Sequence, residues 1–225
     1  MFHVKQLLVI AFFVPFSSIG QLVGNNVLPD IELPPQPQRD SKVDAFTFQF
    51  IELGKMPQLN QDWFYWTNYS RANPRRFYDS VIVPLLIFMP NLNGGNARSL
   101  KNELYGSPSL PMLRPNKDLM KVAEDFAEEM ASKNAPPSHN SPSGSTFQSR
   151  MESIKIKLCA GENISWGKPK TLLMLALLYI DEGVADLGHR RSLLNPAFTE
   201  MGIAHNVYSD GKFMVVQDFA CSQTR

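Results

Sequence analysis

Two apolar runs, residues 202–208 and 213–219, are joined across Ser209-Asp210-Gly211, and this pair constrains the fold more than any other stretch of the chain. A short polar turn containing Gly between two β-prone runs reads as an antiparallel hairpin. The segment before it is helical in period. Leu119, Val122, Ala123, Phe126, Ala127 and Met130 fall on one face with Lys121, Glu124, Asp125, Glu128 and Glu129 opposite, and Asn116 stands where a cap belongs. Residues 155–164 read as a strand running into a Gly161-Glu162-Asn163 turn, and residues 170–180 as a largely apolar helix ending near Gly183. Helices before and between strands, closed by a hairpin, predict an α+β fold.

The N-terminal third is less regular. Residues 1–20 have the anatomy of a signal peptide: Lys5, an apolar stretch over residues 7–16, and Ser18-Ile19-Gly20 as the cleavage sequence. About ten apolar residues interrupted by Pro15 fall short of the ~20 needed to span a bilayer. The 81–89 run is also short and contains Pro84, so no membrane span is expected. Residues 21–61, centred on Pro34-Pro35-Gln36-Pro37-Gln38, read as an extended Pro/Gln-rich linker or arm, with Phe46, Phe48 and Phe50 alternating as in a short strand. Asp62 is placed to cap a helix carrying Trp63 and Trp66, which Pro74 should interrupt. Residues 91–111 read as loop with one short helix.

The 225 residues, 44% of them hydrophobic, suffice for one sizeable core, placed here at residues 62–225. With 22 basic and 21 acidic residues, neither a nucleic-acid footprint nor a polybasic membrane patch is implied. Two cysteines, Cys159 and Cys221, in a chain destined for an oxidising compartment suggest one disulfide, the alternative being two separate buried thiols.

Three polar segments carry the chemistry. They are Pro137-Ser138-His139-Asn140-Ser141-Pro142-Ser143-Gly144, Gly161-Glu162-Asn163-Ile164, and Ile180-Asp181-Glu182-Gly183 through Gly188-His189-Arg190-Arg191. Two imidazoles with two or three carboxylates form a set that a divalent metal such as zinc accepts. Read as structure alone, the same residues are histidines that hydrogen-bond carboxylates and lock two segments together. Both histidine segments, rich in small and polar residues, read as solvent-facing loops.

Gly-Glu-Asn-Ile at residues 161–164, Gly-His-Arg at 188–190, Leu193-Leu194-Asn195-Pro196 with Phe198 and Met201-Gly202-Ile203-Ala204, and Asn68-Tyr69-Ser70-Arg71-Ala72-Asn73-Pro74 together resemble the CAP superfamily, that of cysteine-rich secretory proteins, antigen 5 and pathogenesis-related 1. The wording is closer to its bacterial-like and protist branch. The resemblance implies a three-layer α-β-α sandwich around a small antiparallel sheet. It also implies a shallow cleft with His139, Glu162, His189 and a second acid as candidate metal ligands. That acid is Asp181 or Glu182; Asp181 aligns with the family's glutamate, one methylene shorter.

Other polar residues read as scaffold. His205 lies in a strand as a satisfied histidine, Arg150 pairs with a carboxylate at the core edge, and one of Arg190 and Arg191 is solvated. The sequons at Asn68 and Asn163 fall in motifs expected to pack. The function expected is that of a secreted extracellular binding module for a lipid, a sterol or a protein partner, its cleft able to take zinc or another divalent metal. The alternative is a metal-dependent hydrolase using the same cleft. His-Glu-x-x-His, Gly-x-Ser-x-Gly and a free-thiol Cys-His pair are all missing from the sequence, and the family has no agreed catalytic activity, which favours the non-enzymatic reading.

Overall fold

The computed structural model describes residues 24–26, 33–157 and 159–222. The expected signal peptide lies outside the described residues. The chain runs β1 (Gly24–Asn26), α1 (Ser41–Thr47), α2 (Gln58–Ala72), α3 (Pro74–Phe77), a π-helical turn at Tyr78–Ile82, α4 (Val83–Phe88) and α5 (Gly95–Gly106). It continues with β2 (Arg114–Pro115), α6 (Lys117–Ser132), α7 (Phe147–Ser153), β3 (Ala160–Gly167), α8 (Thr171–Ile180), α9 (Gly188–Leu193), β4 (Glu200–Val207) and β5 (Phe213–Ala220).

The sheet order is β1-β3-β5-β4-β2. The three long strands β3, β5 and β4 are antiparallel, whereas the short edge strands β1 and β2 pair in parallel with β3 and β4. The sheet is therefore mixed rather than purely antiparallel. Side chains alternate across it. Met214 and Val216 pack under α6 with Ala123, Phe126, Ala127 and Met130, while Val215 and Phe219 face the larger core formed with α2 and α8. These are the two outer layers of an α-β-α sandwich.

Each main helix follows from its sequence. Asn116 caps α6, its side chain accepting from the amides of Asp118 and Leu119. The run Thr171–Ile180 is apolar on all sides and is buried almost throughout, as a central helix should be. In α2, Trp63, Phe64, Tyr65, Trp66 and Tyr69 are all buried between the sheet and the outer helices. Arg71, at the end of α2, is fully buried because its guanidinium donates to the carbonyls of Pro111, Leu193, Asn195 and Phe198. A buried charge saturated with acceptors in this way ties α2 to two distant loops.

Several sequence expectations shift. Residues 46–50 form no strand: Asp40 caps α1 through its side chain, and Phe46 packs edge-on against Phe50 at 5.2 Å. Asp62 does not cap its helix, which begins a turn earlier after Pro57, and Asp62 instead accepts from Gln58. Ala97, Leu100 and Leu104 give the 95–106 segment a buried helical face, so this stretch holds a helix of 12 residues. The strand expected at residues 155–164 starts only at Ala160, because Lys155 and Cys159 take left-handed backbone conformations, φ 66° and 56°. The arm expected to be a linker contributes β1 and α1, and Asp40 hydrogen-bonds through its amide to the Tyr65 hydroxyl at 2.6 Å.

Cys159 and Cys221 are bridged, with Cα atoms 5.6 Å apart. The bond closes a separation of 62 residues and sits beside the backbone hydrogen bond from Cys221 to Cys159. It joins the entrance of β3 to the exit of β5.

Candidate functional site

The polar site is built around one stretch of β3. Strand β1 covers only Ser165–Gly167, so among the described residues no strand pairs with residues 160–164 on that side. Glu162 and Asn163 lie in this open segment, and their side chains leave the strand on opposite faces.

Glu162 meets the loop before α7. Its Oε1 accepts from His139 Nδ1 at 2.7 Å and its Oε2 from Arg150 Nη2 at 2.5 Å. Arg150 also donates to the His139 carbonyl at 3.1 Å and lies 3.6 Å over the ring of Phe126. One guanidinium thus fixes both the carboxylate and the loop that carries the imidazole. The loop is held at its far end by Glu129 on α6, which accepts from the amide and hydroxyl of Ser143. Those bonds and Lys133 hold the Glu129 carboxyl down at about 2, the lysine bond being the largest cause.

Asp181 holds the second imidazole. It ends α8 in a left-handed conformation, φ 56°, and turns its carboxylate onto the first turn of α9. Oδ1 accepts from His189 Nδ1 at 2.6 Å, and Oδ2 accepts from the amides of His189 and Arg190 at 3.0 and 3.2 Å. Asn96 donates to the Asp181 carbonyl. Arg190 is buried beneath, donating to the carbonyls of Tyr179, Ile180 and Asn96. Asn163 Nδ2 reaches the His189 carbonyl at 3.2 Å, so the two histidine pairs are linked through adjacent residues of one strand.

Of the two neighbouring acids, Asp181 partners His189, whereas Glu182 is exposed, against Gly94. Arg150 pairs with a carboxylate as expected, and of the two following arginines Arg191 is the exposed one, at 65%. His205 bonds Asn60 at 2.6 Å and stacks on Phe213, as a satisfied strand histidine. Asn68 is buried and exchanges two hydrogen bonds with the backbone of Leu113, so that sequon packs; Asn163 is buried as well.

The expectation of solvent-facing histidines is corrected. The side chains of His139 and His189 are only 11% and 5% exposed. A small polar loop can still be buried when its donors are satisfied locally, and Ser141 does this here by bonding Ser143 and Ser145. Among the described residues no group of three or more His, Cys, Asp and Glu side chains is arranged to hold a metal ion. Both carboxylates spend both oxygens on protein donors. The atoms left to meet a ligand are the imidazole Nε2 atoms, of which that of His139 is buried without a partner.

Sequence reasoning missed Asp218, a fully buried aspartate opposite Glu162 in the β3–β5 ladder. The signal was an acidic residue inside the run Met214-Val215-Val216-Gln217-Asp218-Phe219, which had been read only as an apolar arm of the hairpin.

A separate groove of about 450 Å³ lies away from the histidines. The Pro-rich segment 33–37 forms one wall, with Leu59 of α2, Val81, Leu85 of α4 and Leu173 of α8 among the others. Among the described residues no helix is long and apolar enough to cross a membrane.

An α-β-α sandwich with two histidine–carboxylate pairs flanking a Gly-Glu-Asn strand defines a class, and the sequence comparison agrees with it. The model of the cysteine-rich secretory protein family, CAP, matches residues 97–219, more than half of the chain, and the chain belongs to that family. No curated protein matches. Among solved structures, an extracellular protein containing an SCP domain from Bacillus anthracis is 30% identical over 50% of this chain and 35% of its own, with a TM-score of 0.40. The chain thus spans about a third of that protein's length. An outer surface protein from Borrelia burgdorferi is 17% identical over 62% of this chain and 92% of its own, TM-score 0.42. Venom allergen-like protein 4 of Schistosoma mansoni is 12% identical over 75% of this chain and 92% of its own, also at 0.42.

Proposed function

We propose that this chain is a secreted binding module whose ligand is an apolar chain, such as the acyl tail of a lipid, seated in the groove beneath residues 33–37. The groove carries the reading. Its volume of about 450 Å³ falls within the ~300–1,000 Å³ typical of small-molecule sites, and its walls are mainly Leu, Val and Pro. Ser80, Thr171 and Asp62 supply a few polar atoms at its margin, the usual arrangement for orienting a ligand with one polar end. Secretion rests on the leader-like residues 1–20 and fits the disulfide.

Binding of a fluorescent fatty acid by the purified chain tests this. Saturable, roughly 1:1 binding is expected, with at least a tenfold loss in Leu85→Trp, which fills the groove. No binding by the wild type, or full binding by the variant, would overturn the proposal; displacement by a sterol but not by a fatty acid would reassign the ligand.

The histidine pairs could offer a metal at most two nitrogens, since both carboxylates are spent on protein donors, and the rest of its coordination would have to come from water or ligand. With Glu162 and Asp181 orienting the rings through Nδ1, His139 and His189 would hold a divalent ion through Nε2, the arrangement in which a carboxylate fixes a ligand's tautomer. Such an ion would supply a positive centre with positions open to water or ligand. A hydrolase would need a further free base to handle the proton of an attacking water. Both carboxylates are already occupied, which is why the binding module is preferred. Zinc calorimetry checks the metal: one site in the wild type, lost in the His139→Ala/His189→Ala double variant, is the expected result, and no heat in the wild type would refute it.

A further inference from the structure

The groove beneath residues 33–37 has a neighbour of opposite character. A cleft of about 600 Å³ is lined by Arg75, Arg76, Asp79, Tyr105 and Ser107, and Ser80 belongs to the walls of both cavities. Ser80 lies in the π-helical turn Tyr78–Ile82, after the arginines of α3 and before the groove residue Leu85 of α4. At ~1.5 Å per residue, Arg76 and Leu85 stand about 13 Å apart along this run of helix. π turns are rare and recur at functional sites. Arg75 has no carboxylate partner among the described residues. Its guanidinium donates to the Tyr105 carbonyl at 3.2 Å and lies 5.0 Å from the centroid of that ring, which leaves most of its N–H donors free.

Two acids bond to this group: Asp40 pairs with Arg76 at 3.2 Å, and Asp79 accepts from the Tyr105 hydroxyl at 2.5 Å. Lys101 stands 5.7 Å from the same Tyr105 ring, so three cations, Arg75, Arg76 and Lys101, face these two acids. Elsewhere the walls of the groove offer an acid, Asp62, and one cation, Lys170, which already has a partner within the chain. An anion therefore belongs at the Ser80 end. The planar fork of a guanidinium matches the oxygens of a carboxylate or a phosphate. We infer that the ligand is an anionic amphiphile, its tail in the groove and its carboxylate or phosphate head on Arg75 and Arg76. This rests on the groove holding an apolar chain, and it adds the charge of that chain's polar end and the direction in which it points.

Calorimetric titration of the full chain with dodecanoic acid, dodecyl phosphate and dodecanol tests this, because the three share one tail and differ only in the head. An anionic head should bind at least about tenfold tighter than dodecanol, and the tighter of the two anions identifies the head as carboxylate or phosphate. In Arg75→Gln/Arg76→Gln this preference should vanish while the dodecanol affinity stays. Arg75→Gln alone, which breaks no ion pair, should lose most of it, and Lys170→Gln should keep it. Both arginines are exposed, so replacing them costs the fold little. Equal binding of all three ligands by the wild type would overturn the inference and leave the groove reading standing. So would a preference that survives in the double variant or disappears in Lys170→Gln. Binding of none of them would overturn the groove reading, and the anionic head with it.

Discussion

Replacing Gly202 by Ala tests how closely α6 lies on the sheet. A Cβ at this position would stand 2.2 Å from the carbonyl carbon of Leu119, 2.4 Å from the amide nitrogen of Met120 and 2.5 Å from the Leu119 oxygen. Carbon atoms in contact sit ~3.5–4.0 Å apart, so the deficit exceeds ~1 Å. All three obstacles are main-chain atoms, and no side chain can swing aside; α6 must lift as a unit. It would then move away from Ile164, Ala204, Met214 and Val216, which its Ala123, Phe126, Ala127 and Met130 cover. A gap approaching 1 Å forfeits roughly a quarter to a half of the dispersion energy of each contact. Overpacking ordinarily costs ~1–3 kcal/mol, and a backbone obstacle belongs at or beyond the top of that range, so about 3–5 kcal/mol is expected. For a chain of this length, at ~2–4 °C per kcal/mol, Tm should fall by about 10 °C. Urea unfolding at constant m measures the loss directly. Gly106→Ala is the control, since nothing lies within 4 Å of its added methyl group and it should be neutral or slightly stabilising. A Gly202→Ala loss below ~0.5 kcal/mol, the level of an ordinary surface change, would refute the close packing of α6.

Two further outcomes are expected. Reducing Cys159–Cys221, which closes a separation of 62 residues, should cost roughly 4 kcal/mol in the chain-entropy model; denaturant unfolding with and without reductant measures it, and equal midpoints would contradict it. Burial holds the His205 imidazole below its ordinary value of 6.5, so the unfolded chain binds that proton first; this contribution to stability is present above pH 6.5 and is lost as pH falls through the lower folded value. Thermal unfolding from pH 7.5 to 5 should show a smaller acid loss in His205→Gln than in the wild type, and parallel curves would refute the assignment.

The helices and the hairpin were legible because each carries a local signal. Asn116 caps α6, a single apolar face runs from Leu119 to Met130, and a Gly-containing turn stands between β4 and β5. The histidine pairs were legible only through family resemblance, since His139 and Glu162 are 23 residues apart and nothing local joins them. What stayed hidden depended on tertiary context. The alternating phenylalanines at 46–50 suggested a strand, but the Asp40 cap starts a helix that runs to Thr47 and overrides that pattern. Burial of the two imidazoles could not be seen either, because the groups that make it tolerable, Arg150 and the amides at the start of α9, come from other segments. Asp218 was overlooked for the same reason: its meaning lies in what sits across the ladder.

Arg71 sets a limit on how this protein can be divided. The residues matched by the family model begin at 97, yet α2 lies before that boundary and supplies Trp63, Trp66 and Tyr69 to the core. The four carbonyls that Arg71 satisfies, at Pro111, Leu193, Asn195 and Phe198, all fall within the matched stretch. A fragment cut at residue 97 would keep the histidine pairs on paper while stripping one face of the sheet and orphaning those acceptors. The smallest autonomous unit is therefore larger than the shared motif, and any minimal version of this protein has to begin upstream of α2.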